Sequence, residues 1–87
     1  MKKILVVDDD DATRQLLREV FEKQDYEVTL ACSGEEARKL LGADAFEVIL
    51  SDIRMLELDG VGLLTHIKER GIPSVVILMT AMGIYGF

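Results

Sequence analysis

Three short stretches of nearly uninterrupted Val, Ile and Leu constrain this chain more than any other feature; they lie at residues 4–7, 48–50 and 75–79. A strand that alternates apolar and polar residues buries one face. A continuous apolar run needs cover on both, which is the condition of a parallel sheet packed between helices. A fourth stretch, Glu27-Val28-Thr29-Leu30-Ala31, does alternate and is expected at a sheet edge. Between the runs the periodicity turns helical. Over 12–24, Leu16, Leu17, Val20 and Phe21 are expected to share one face, with Asp11 as N-cap. Ser33-Gly34-Glu35-Glu36 is a capping box that opens a second helix with Ala37, Leu40 and Leu41 on its apolar side. A third helix is expected over 60–70, with Val61, Leu64 and Ile67 inward and Gly71 and Pro73 as its stop. The resulting order, β-α-β-α-β-α-β with short connections, predicts an α/β fold with parallel strands and right-handed crossovers.

At 87 residues the chain amounts to one small domain, with no linker or low-complexity segment. Such a domain buries roughly 60–65% of its unfolded surface, so its core is adequate but not generous. Ten Lys and Arg against sixteen Asp and Glu leave a net charge of −6, which disfavours nucleic acid and anionic membrane as partners. A hydrophobic content of 49% excludes a disordered acidic tail. The single cysteine, Cys32, has no internal partner for a disulfide, and the apolar run after Met1-Lys2-Lys3 is too short for an export signal. A cytoplasmic location is therefore expected.

Three of the strands end in a polar residue, at Asp8, Asp52 and Thr80. Ligands of open parallel sheets bind beyond the carboxyl ends of the strands, where the strand order reverses. If the first strand lies between the second and third, Asp8 and Asp9 meet Asp52. Like charges at about 4 Å cost on the order of 4 kcal/mol per pair at an effective dielectric near 20, so such a cluster must protonate, splay or hold a cation. Mg²⁺ suits it, because Mg²⁺ is held by few carboxylates and keeps waters that a phosphate oxygen can replace. A carboxylate beside Mg²⁺, with the Thr80 hydroxyl near, is equipped to attack phosphorus and form an acyl phosphate. There is no Gly-rich phosphate loop for a nucleotide.

Simpler readings compete at each position. An acidic run such as residues 8–11 is commonly a solvated loop and helix start, and a strand-end Thr is commonly structural. Asp52 is harder to dismiss, since an acid closing the stretch at 46–51 has little structural reason to be there. His66 reads as a surface residue, and without a second His or a Cys partner no zinc site is expected. Cys32 reads as a small packing residue, and Met55, Met79 and Met82 as core or edge filler.

Taken together, Lys3-Ile4-Leu5-Val6-Val7-Asp8-Asp9-Asp10, then Val48-Ile49-Leu50-Ser51-Asp52-Ile53-Arg54-Met55 with Asp59-Gly60, then Val76-Ile77-Leu78-Met79-Thr80-Ala81 resemble the receiver domain of two-component response regulators. The likeness covers residues 2–81, leaving 82–87 as a tail of one truncated receiver domain over 1–87. It implies a flavodoxin-like, incomplete doubly wound sheet of strand order 2-1-3-4. It also implies Asp52 as phosphoacceptor, with Asp8, Asp9, Asp52 and the Arg54 backbone carbonyl as ligands of Mg²⁺. Thr80 would be the switch hydroxyl and Ala81 the small residue that admits the phosphoryl group. A sensor histidine kinase or phosphotransfer protein would be the phosphodonor, and the domain itself would not be an enzyme.

This chain departs from the family pattern in two places. Leu56 stands where the family usually has Pro. A full receiver also continues through a fourth helix, a Lys-bearing fifth strand and a fifth helix, whereas residues 71–87 hold no charged side chain. Without that Lys, Mg²⁺ binding is expected to survive better than phosphorylation, and phosphorylation better than signalling. The fourth strand is expected to be an open apolar edge that drives homodimer or higher oligomer formation. Two alternatives remain at this point: an inert or engineered self-associating receiver fragment, and a haloacid-dehalogenase-type phosphatase using Asp9-x-Asp11-x-Thr13 with Asp9 as nucleophile.

Overall fold

A computed structural model describes residues 1–52, 60–80 and 83–86, with the side chains of 60, 61, 80 and 83–86 set aside. The elements run β1 (Lys2–Val7), α1 (Asp11–Glu22), β2 (Tyr26–Ala31), α2 (Gly34–Ala43), β3 (Val48–Asp52), α3 (Gly60–Glu69), β4 (Val75–Thr80) and β5 (Gly83–Gly86). The first four strands are parallel in the order β2-β1-β3-β4, as expected, with β2 at the edge. β5 then adds to β4 in antiparallel register, Leu78 opposite Tyr85 and Thr80 opposite Gly83.

That last pairing corrects two expectations. Part of the supposed tail at 82–87 is a strand, and β4 is not a naked edge over residues 77–80. The physical reason is the one that made an open edge costly: unpaired apolar β4 backbone is satisfied by a reversal of the chain itself, which needs no second molecule.

The alternating side chains of each strand divide the core into two layers. Leu5, Val7, Ile49, Val76 and Leu78 pack with Ala37 of α2 and Leu63 and Ile67 of α3. On the opposite face Ile4, Val6 and Leu50 pack with Leu17 and Phe21 of α1, and with Val28, Ile77 and Met79. Leu16 and Val20 do not join that layer, being 60% and 40% exposed. They form a neighbouring stripe at i,i+4, about 100° around the helix from Leu17 and Phe21, and α1 turns only the second stripe to the sheet. On α3 the fully buried leucine is Leu63, while Leu64 is half-buried, and the Val61 side chain lies outside the described set.

The helix ends follow local chemistry. Asp10, one residue before the expected position, caps α1, its carboxylate accepting from Thr13 N at 2.8 Å and Thr13 Oγ1 at 2.6 Å. Ser33 Oγ accepts from Glu36 N at 3.1 Å, and the Glu36 carboxylate accepts in return from Cys32 N, also at 3.1 Å. α3 ends as anticipated at Gly71, whose φ of 64° is left-handed. The bonds Ile72 N to Ile67 O, 3.1 Å, and Gly71 N to Lys68 O, 3.2 Å, close that turn in the Schellman pattern.

Candidate functional site

The register of the central strands explains why three acids distant in sequence meet. Val7 of β1 lies opposite Ser51 of β3, so Asp8, just past β1, and Asp52, the last residue of β3, come side by side. Asp8 is held to the edge of the ladder by its N–H, which donates to Ala31 O at 3.1 Å. Asp9 follows in the loop before α1. The Asp8, Asp9 and Asp52 carboxylates each offer an oxygen, and these atoms lie within 4.8 Å of one another. Asp8 is buried, Asp52 half-buried and Asp9 exposed, so the cluster opens to solvent on one side.

Asp8 carries the electrostatic load. Burial pushes its carboxyl above the ordinary value of 3.8, and the charges of Asp52, Asp9 and Asp10 push the same way. The Asp10 N–H, donating to Asp8 Oδ1 at 2.9 Å, opposes them. At 4.8 Å, two full negative charges repel by on the order of 3–4 kcal/mol at an effective dielectric near 20. A divalent ion among the three oxygens would remove that repulsion. The spread of the oxygens is close to what an octahedral Mg²⁺ requires, with ligands at about 2.1 Å and so about 3–4 Å from one another. The donor set is all oxygen and anionic, which suits a hard cation. The residues present therefore fit Mg²⁺.

Two residues near the cluster have no role assigned from the sequence. Asp10 is both the cap of α1 and the N–H donor to Asp8. Arg14 donates through Nη1 to the Asp8 carbonyl at 2.7 Å and pairs with Asp11 on its other side. The Asp10-x-x-Thr13 spacing was the available signal for the cap. Nothing short of the folded loop signals the bond to Asp8. Thr80 closes β4, one position beyond Met79, the neighbour of Asp52 across the sheet. The Thr80 side chain, Arg54 and Ala81 lie outside the described set, so their proximity to the acids is not part of this geometry.

Four parallel strands with an acidic cluster at the carboxyl ends of β1 and β3 are the architecture and donor set expected of a receiver domain. Comparison with known proteins agrees: residues 4–84 match the response regulator receiver domain, and the chain belongs to that family. It is 35% identical over 81 residues to the transcriptional regulatory protein SrrA of Staphylococcus aureus, covering 93% of this chain and 33% of that protein. Among solved structures it resembles the receiver domain of Francisella response regulator 1452, with 34% identity and a TM-score of 0.89 over 94% of this chain and 68% of the other. It also resembles the Thermotoga maritima response regulator TrrA in complex with Mg²⁺-BeF, with 36% identity and a TM-score of 0.88 over 93% of this chain and 70% of the other. The chain spans about a third of the length of the curated relatives it matches. Among the described residues no helix is long and apolar enough to cross a membrane.

Proposed function

We propose that this receiver domain accepts a phosphoryl group on Asp52, with Mg²⁺ held by Asp8, Asp9 and Asp52, from a histidine kinase or phosphotransfer protein in the cytoplasm. The observation that carries the reading is the convergence of those three carboxylates at the ends of β1 and β3. Mg²⁺ held there would offset two of the cluster's three negative charges and supply an electrophilic partner for the phosphoryl oxygens. An Asp52 carboxylate oxygen forms a bond to phosphorus as the N–P bond of the donor phosphohistidine breaks. The donor ring, protonated on its other nitrogen, takes the electron pair of that bond and leaves as neutral imidazole, and Asp52 becomes an acyl phosphate. Asp8 and Asp9 orient the ion. Asp10 and Arg14 fix the loop that carries them, through the bonds to Asp8 Oδ1 and the Asp8 carbonyl. The Arg54 carbonyl, the Thr80 hydroxyl and the small Ala81 side chain keep the ligand, switch and access roles that membership of the family implies.

The phosphatase alternative loses its support here. It gives Asp52 no task, and the Asp11 carboxylate of its motif is turned to Arg14, outside the cluster. Incubation with acetyl phosphate and intact-mass analysis separates the two. The expected result is one phosphoryl group, dependent on Mg²⁺, mapped to residue 52 and absent from Asp52→Ala. Equal labelling of the two proteins, or a label on Asp9, overturns the assignment.

Self-association through the sheet belongs to the same proposal, but its edge is now β5 rather than β4. A sedimentation coefficient that rises with concentration supports it, and one constant over a hundredfold range removes it.

A further inference from the structure

At the opposite end of the sheet from the acids, the C-terminal half of α2 and the end of α3 with the residues after it flank an open cleft of about 500 Å³, lined by Arg38, Leu41, Gly42, His66, Arg70 and Ile72. Its composition runs against that of the molecule. In a chain of net charge −6, the lining holds two arginines and a histidine and not one carboxylate. Leu41 and Ile72 are half-buried and rest on the core layer that α2 and α3 cover, so the cleft has an apolar floor beneath a cationic rim. Arg38 and Gly42 stand one turn apart on one wall, as do His66 and Arg70 on the other. The cations therefore flank the floor from both sides.

Cations near the last turn of a helix complement its dipole, and that accounts for part of the pattern. It does not account for Gly42. This glycine lies within α2, where Gly is disfavoured by about 1 kcal/mol relative to Ala. No steric reason requires it: a Cβ built there meets nothing within 4 Å, and the backbone is not left-handed. Gly42 lines the cleft and contributes no side chain to it. The rim is also available. Among the described residues neither the His66 ring nor the Arg70 guanidinium has a hydrogen-bond or ion-pair partner, and Arg38 is held by Glu35 in an exposed pair at 3.2 Å. A ligand carboxylate can displace such a pair at little cost.

We propose that the α2–α3 cleft is a docking site for a short acidic segment of a partner protein, an aliphatic side chain resting on Leu41 and Ile72 with carboxylates to either side on Arg38 and Arg70. Charge complementarity selects this occupant: the cleft repels basic partners, and its apolar floor distinguishes it from a site for a bare inorganic anion. The proposal is independent of phosphorylation at Asp52.

Backbone amide shifts of the full chain, titrated with acetyl-Glu-Leu-Glu-amide and with its neutral counterpart acetyl-Gln-Leu-Gln-amide, test it. Saturable shifts confined to residues 38–43 and 66–72 are expected, with the neutral peptide at least about fivefold weaker. Arg38→Gln and Arg70→Gln should each weaken the acidic peptide by about threefold to tenfold. Gly42→Leu should fill the cleft and abolish the shifts while the melting temperature holds or rises, which separates blocking from misfolding. Equal binding of both peptides, shifts centred elsewhere, no saturation, or undiminished binding by Gly42→Leu would each overturn the proposal. Orthophosphate producing the same shifts at equal concentration would reassign the cleft to a simple anion and overturn it as well.

Discussion

Asp8→Asn is expected to raise the melting temperature of the metal-free protein while lowering Mg²⁺ affinity by about a hundredfold or more. Both effects have one cause. The buried Asp8 carboxyl is pushed up by desolvation and by its acidic neighbours, so the folded state resists its ionisation more than the unfolded state does. The sign follows: folding carries no penalty from this group below the unfolded value of 3.8, acquires it as pH rises through 3.8, and carries it fully above the raised folded value. Asn removes the charge and retains an oxygen to accept from Asp10 N. Each 1 kcal/mol gained would appear as about 4–8 °C in a domain of this size. Thermal melts in chelator at neutral pH, repeated toward pH 4, should show a wild-type deficit that shrinks with acidification. Added Mg²⁺ should then raise the wild type and leave the variant unmoved. A variant less stable than wild type in chelator, or equally stabilised by Mg²⁺, would contradict the account of the site.

The second large effect lies in the core. Leu5 is fully buried on the central strand β1, packed in the layer that α2 and α3 cover. Leu5→Ala should cost about 2–5 kcal/mol through lost burial and the cavity left behind. A chain of 87 residues has a total stability of about 4–13 kcal/mol, so this one change removes a large share of it and lowers the melting temperature by about 10–30 °C. Leu5→Met, which nearly conserves volume, should cost less than about 1.5 kcal/mol. Denaturant titration of the three proteins measures the differences. Equal midpoints for Leu5→Ala and wild type would mean that the two-layer core is not as described.

The strands were legible because burial on both faces leaves a crude mark, the uninterrupted apolar run, and β1, β3 and β4 lie where those runs lie. The capping box at Ser33 and the stop at Gly71 were legible for a similar reason, being settled by residues within a few positions of one another. Errors came where a neighbour in space decided the outcome. Asp10 caps α1 in place of Asp11 because its carboxylate reaches Thr13, a choice that consecutive aspartates leave open in the sequence. Leu16 and Leu17 are equally apolar, and only the docking of α1 on the sheet turns one inward and the other out. β5 was missed because four residues bounded by glycines carry little strand signal until β4 lies beside them.

The candidate site divides along the same line. Local chemistry specified the acids as acids and set them at strand ends, since apolar runs must stop where the sheet meets water. The partnership among them is a matter of tertiary structure. It depends on the parallel register that puts Val7 opposite Ser51, and on the burial that makes one aspartate of the three hard to ionise. Register and burial are properties of strands packed against each other, and a one-dimensional pattern contains the residues but not the distances that turn three ordinary carboxylates into one electrostatic unit.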